Sequence, residues 1–135
     1  MRRNIGTGGP WEAVVGYSRA VRVGDTVHVA GTTAIREGRV VSPGDAYTQA
    51  KVALEIVVEA LAECGASSAD VVRTRIFVTD IRDWEAVGRA HGEVFSDVRP
   101  ASTMVQVTAL IEPDLLVEIE ADAVVGSGAT GVTPP

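Results

Sequence analysis

Arg99–Ala123, RPASTMVQVTALIEPDLLVEIEADA, is the stretch whose reading decides the fold. Val105, Val107 and Ala109 alternate with Met104, Gln106 and Thr108, and a period of two predicts a strand. Glu112-Pro113-Asp114 is a turn signal, and Leu116–Asp122 then alternates again. The stretch reads as two strands joined by a short turn. In the second strand Glu118 and Glu120 point to one face, and Val117 and Ile119 to the other. Two carboxylates on one strand face need a partner, water or a chemical task.

Upstream, Tyr17–Arg22 and Asp25–Ala34 read as two strands around the turn Val23-Gly24-Asp25. Gly31 inside this alternation predicts a bulge, or close approach of a ligand to the backbone. Arg36-Glu37-Gly38-Arg39 is a further turn, with Val40-Val41 a short extension. Ser42-Pro43-Gly44-Asp45 can cap a helix running from about Ala46 to Cys64. Its apolar stripe is Ala50, Ala53, Leu54, Val57, Leu61 and Cys64, and Gly65 supplies the stop. Glu55, Glu59 and Glu63 form the opposite, solvated face. A strand follows within Ala69–Thr79. Asp80 or Asp83 then caps a second helix over Trp84–Phe95, in which Trp84, Val87, His91 and Val94 share a face. Gly88 and Gly92 on that helix weaken it, which suggests that something packs or binds close to the backbone there.

The 135 residues fit one domain, here 13–125. Residues 1–12, glycine-rich and polar, read as a loop or loosely attached arm, and 126–135 as a disordered tail. No internal repeat is evident. The order β-β-(β)-α-β-α-β-β places two helices on one face of a mixed sheet, an α+β fold. The other sheet face then needs cover, for which further copies of the chain are the expectation. No apolar run is long enough to span a bilayer, and no secretory signal opens the chain. The single Cys64 excludes an intrachain disulfide and falls on the helix stripe, so it is expected to be a buried apolar group in a reducing cytoplasm. A net charge of −6 argues against nucleic acid, although Arg2, Arg3, Arg19 and Arg22 gather basic charge near the N-terminus. Two histidines, far apart in sequence, do not suggest a metal site.

P-A-x-[ST]-x-V-x-V, a short turn and V-E-I-E-A, from Pro100 to Ala121, resemble the C-terminal hallmark of the RidA/YjgF family of reactive-intermediate deaminases. The resemblance runs from about Gly16 to Ala123. It implies a chorismate mutase-like fold and a homotrimer, with small-molecule clefts between adjacent subunits and no cofactor. Family deaminases hydrolyse enamines and imines made from amino acids. An arginine directly after Pro-Ala holds the substrate carboxylate, and a carboxylate positions water.

Carried over residue by residue, the resemblance makes Tyr17 the pocket tyrosine. Ala30-Gly31 stands where the family has S-G, and Gly88 where many members have Asn. Glu118 takes the acid/base role, with Glu120 as the other candidate. Ser102 replaces the arginine. A neutral hydroxyl cannot replace a bidentate charged contact, so either Arg89 or Arg99 compensates, or the pocket serves another ligand. Ser102, Thr103, Met104 and Trp84 suit something larger and less anionic. His91 is the histidine placed to act as acid or base, alongside Glu118 and Tyr17. The resemblance thus implies either a divergent hydrolase of C=N bonds or a trimeric small-molecule-binding or regulatory protein without turnover. A ribonuclease or translation-inhibitor activity, ascribed to some members, is the third reading. The charge and the lack of a histidine pair count against it.

Overall fold

Alternation along the strands builds a six-stranded sheet in the order β1-β2-β3-β8-β6-β7. The computed structural model describes residues 1–130. Its strands are β1 (Arg2–Ile5), β2 (Ala20–Val23), β3 (Thr26–Thr33), β6 (Val71–Val78), β7 (Ala101–Gln106) and β8 (Val117–Val124), with β4 (Ile35–Arg36) and β5 (Arg39–Val40) forming a separate ribbon. All pairings in the large sheet are antiparallel except that of β6 with β7. The ribbon turns through Glu37 and Gly38, both at positive φ, as a two-residue hairpin of this kind requires.

Helices α2 (Ala46–Glu63) and α3 (Trp84–Phe95) cover one sheet face. The Asp45 carboxylate accepts from the Thr48 N–H at 3.0 Å and caps α2. Gly65, at φ +80°, stops it. The Asp80 side chain caps a short turn, Ile81–Asp83, that leads into α3, and Asp83 makes no side-chain cap of its own. The stripe Ala50, Ala53, Leu54, Val57 and Leu61 meets Val117, Ile119, Ala121 and Ala123 of β8 and Val27 and Val29 of β3 in one core. Cys64 is buried in it, as the stripe predicts, and burial pushes its thiol pKa up.

Three readings of the sequence change. First, β7 and β8 do not form a hairpin: β6 lies between them, parallel to β7 and antiparallel to β8. The connection 107–116 therefore passes β6. Fully buried Gln49 of α2 fastens it, donating to the Asp114 carbonyl at 2.9 Å and accepting from the Leu116 N–H at 2.8 Å. Second, the N-terminal segment is no loose arm. Arg2–Ile5 pairs with β2 as an edge strand, and Pro10–Val15 forms a short helix, α1. Its proline starts it and Gly16, at φ +87°, ends it. Third, Ser127–Thr130 forms a helical turn whose Gly128 N–H donates to Asp70. Residues 131–135 of the expected tail lie outside the described residues.

Candidate functional site

The sheet face turned away from the helices carries the charge. Glu118, Glu120 and Asp122 alternate with the buried apolar residues of β8, and Arg75 and Phe77 of β6 share their face. The two glutamates differ. Arg75 reaches Glu120 and Asp122, each at 3.2 Å, and Asp122 meets His28 Nδ1 at 2.7 Å. Glu120 thus belongs to a surface ion-pair network. The Glu118 carboxylate has no hydrogen bond or ion pair among the described residues.

The Glu118 carboxylate instead lies over the bulge in β3 between Val29 and Thr32. A Cβ built on Gly31 would fall 2.6 Å from Glu118 Oε2, so only glycine leaves room for it. Burial raises the Glu118 carboxyl pKa. Glu120 adds to the rise and Arg19 opposes it.

Arg19, read from sequence only as one of several basic residues, is central here. Its backbone carbonyl accepts from the Ala30 N–H at 3.0 Å, and its Nη2 donates to the Gly31 carbonyl at 2.6 Å. The residue thus clamps both sides of the bulge and holds a positive charge beside Glu118. Its Nε is buried with no hydrogen-bond partner among the described residues, and burial lowers its pKa. Nothing in the sequence flags this role, because the bulge it grips lies on the next strand.

Tyr17 follows the end of α1, its N–H donating to the Glu12 carbonyl at 3.0 Å. It borders a groove of about 440 Å³ that Ala30, His28, Glu120 and Asp122 also line. Glu118 and Gly31 stand next to this groove rather than in its wall.

The remaining predicted residues lie elsewhere. Ser102 of β7 is opposite Thr74 of β6, and both face the helices. Thr74 Oγ1 donates to Ser102 Oγ at 2.8 Å and lies 2.8 Å from His91 Nε2 of α3. Burial lowers the His91 pKa, which keeps the ring neutral at pH 7, and it packs on Phe95 at 4.7 Å between centroids. Gly88, one turn back, has open space where a side chain would project, so nothing among the described residues explains that glycine by close packing. Trp84, at the start of α3, is 56% exposed. Met104 packs against the core. Thr103, opposite Arg75, is on the charged face.

The predicted residues therefore fall into two groups. Glu118, Tyr17, Ala30 and Gly31 gather on the open face around β3 and β8. Ser102, His91, Gly88 and Trp84 sit on the helix side near the β7 edge, and β6 separates the two groups. Neither proposed substitute for the missing arginine reaches the second group. Arg89 stacks over the Tyr47 ring at 4.4 Å, and Arg99 donates to the Ser96 carbonyl at 3.3 Å.

The family model described as Endoribonuclease L-PSP matches residues 9–125. The chain belongs to the YjgF/RidA family. A crystal structure of a YjgF/YER057c/UK114 family member from Mycobacterium tuberculosis is 50% identical, with a TM-score of 0.85, over 93% of this chain and 100% of that one. The 3-aminoacrylate deaminase RutC of Acinetobacter baylyi is 36% identical over 104 residues, 76% of this chain and 82% of RutC. Escherichia coli TdcF with bound serine is 29% identical, with a TM-score of 0.74, over 90% of this chain and 93% of TdcF. The family includes proteins named as deaminases and as endoribonucleases. Among the described residues no helix is long and apolar enough to cross a membrane.

Proposed function

We propose that this YjgF/RidA protein is a cytoplasmic homotrimeric hydrolase of small compounds with a C=N bond. Its cleft forms between chains, from the Glu118 group of one and the Ser102 group of the next. Two observations support the shared cleft. The groups lie on opposite faces of one sheet, so a single chain cannot bring both to one ligand. The β7 edge is unpaired and leaves Val105, Ile111 and Trp84 exposed, while α1 exposes Val14 and Val15. Exposed apolar patches on two different surfaces of one chain are what a head-to-tail ring buries.

The observation that carries the reading is Glu118: a half-buried carboxylate with no hydrogen-bonding partner among the described residues and a raised pKa, seated where only glycine fits beneath it. A general base whose pKa is lifted toward neutrality is matched to moving protons at working pH. Glu118 takes a proton from water as the oxygen bonds to the iminium carbon and the C=N pair withdraws onto nitrogen. It returns that proton to nitrogen. As the C–N bond breaks and the hydroxyl becomes a carbonyl, the hydroxyl proton passes to Glu118 and on to the departing ammonia. Tyr17 borders the pocket, and His91 orients the hydroxyls opposite.

Imines generated in place by an amino-acid or amine oxidase test this. Their clearance should accelerate with the protein and lose that acceleration in Glu118→Gln, whose trimer persists. Clearance unaffected by the wild-type protein rejects the hydrolase. The missing arginine favours one second reading, a trimeric small-molecule-binding protein without turnover. Under that reading a ligand binds and no imine is consumed.

A further inference from the structure

We infer that His28, held by Asp122, is a specificity residue at the far end of the groove beside Glu118, where it takes a hydroxyl that the ligand carries several bonds from its C=N carbon. The inference rests on the function proposed above.

The groove is too large for a minimal imine. Its volume of about 440 Å³ lies in the range of roughly 300–1,000 Å³ that suits a ligand with a ring or a long chain. Ala30, next to Gly31 and the Glu118 carboxylate, lines one part of it, and His28 lines another. Gly31 and His28 are three residues apart on β3, about 10 Å along a strand. A group bonded directly to the C=N carbon stays near Glu118 and does not meet His28. A group on the far edge of a ring does.

His28 is held in place from behind. It stands directly across from Asp122 in the sheet, and Asp122 Oδ1 lies 2.7 Å from its Nδ1. Arg75 takes the other oxygen of Asp122 at 3.2 Å, so the carboxylate is fixed from both sides. The second ring nitrogen, Nε2, has no hydrogen bond among the described residues, and the side chain is 60% exposed. Tyr17 brings a second ring to the same groove, and its hydroxyl also makes no hydrogen bond among those residues.

Charge decides which group fits there. Beside His28 the groove is walled by Asp122 and Glu120, which repel an anion. Arg75 is already paired with both, which weakens their hold on a cation. Arg2, the guanidinium in the lining, stands on β1, with β2 between it and His28. A neutral hydroxyl escapes both difficulties. It can give and take a hydrogen bond, so it suits Nε2 in either charge state of the imidazole.

Tyramine and 2-phenylethylamine differ only in a ring hydroxyl, and a flavin amine oxidase turns both into free imines. The wild-type protein should clear the hydroxylated imine with a kcat/KM about fivefold higher, the worth of one neutral hydrogen bond. His28→Phe keeps a ring, lacks Nε2 and should bring the two imines to parity. The stable amides 4-hydroxyphenylacetamide and phenylacetamide give the same comparison by titration calorimetry, without turnover. Wild-type protein that does not favour the hydroxylated member of either pair overturns the inference. So does a preference that survives in folded His28→Phe. In both cases clearance of the imines leaves the hydrolase standing. A preference between the amides that His28→Phe removes, with no imine cleared, upholds the inference and rejects the hydrolase. If no imine is cleared and no amide binds, the function proposed above fails and the inference fails with it.

Discussion

The Glu118 carboxylate rests on Gly31 so closely that a Cβ there would lie 2.6 Å from Oε2 and 2.9 Å from Cδ. Gly31 has no positive φ, so alanine is strained there only through its contact with Glu118. Gly31→Ala should fold, because the obstructing group is the end of a flexible side chain. It should move the carboxylate by about an ångström and cost roughly a hundredfold in imine clearance. Thermal denaturation and the clearance assay together check this. Full activity in a folded variant would remove Glu118 from the chemistry.

The raised pKa of Glu118 has a stability consequence. A carboxyl whose folded pKa exceeds its unfolded value contributes stability that is complete below the unfolded value and lost as pH rises through the folded one. Ionised Glu118 is therefore a burden at neutral pH. Glu118→Gln should melt higher than wild type at pH 7, and the gap should close as the solution is acidified below the ordinary carboxyl range. A lower melting temperature at pH 7, or a gap independent of pH, would contradict the assignment.

Arg19 opposes the rise in the Glu118 pKa and clamps the carbonyl of Gly31. Arg19→Gln removes the charge and keeps a donor. Glu118, followed by carboxyl-carbon NMR, should then titrate at higher pH than in the wild type. An unchanged or lower titration point would mean that Arg19 serves only the bulge.

Gln49 holds the passage from β7 to β8 with its whole amide. Gln49→Leu keeps the volume and removes both hydrogen bonds to this passage, each worth about 0.5–1.5 kcal/mol. Denaturant unfolding should show a loss on that scale. A neutral result would mean that the connection is held by other contacts.

The sequence made legible whatever depends on periodicity. Both long helices, their capping turns, the strand that bears Glu118 and the glycine of the bulge follow from spacing and turn chemistry. Alternation reveals which way a side chain points but not which strand lies beside it, so β7 and β8 read as a hairpin although β6 divides them. Arg2–Ile5 is polar and exposed, as an edge strand can be, and offers no alternation to read. The choice of Glu118 over Glu120 rests on Arg75, which is 45 residues from Glu120 in sequence. The His91–Thr74–Ser102 chain spans separations of 17 and 28 residues and has no local signature.

A cleft served by Glu118 of one chain and Ser102 of another is tested most directly by coexpression of two disabled chains. Glu118→Gln and Ser102→Glu homotrimers should each fail to clear imines. Trimers assembled at random from equal amounts, homotrimers included, should pair an intact Glu118 with an intact Ser102 in about one quarter of all clefts. They should recover about that share of wild-type activity. No recovery from confirmed mixed trimers would contradict the shared cleft.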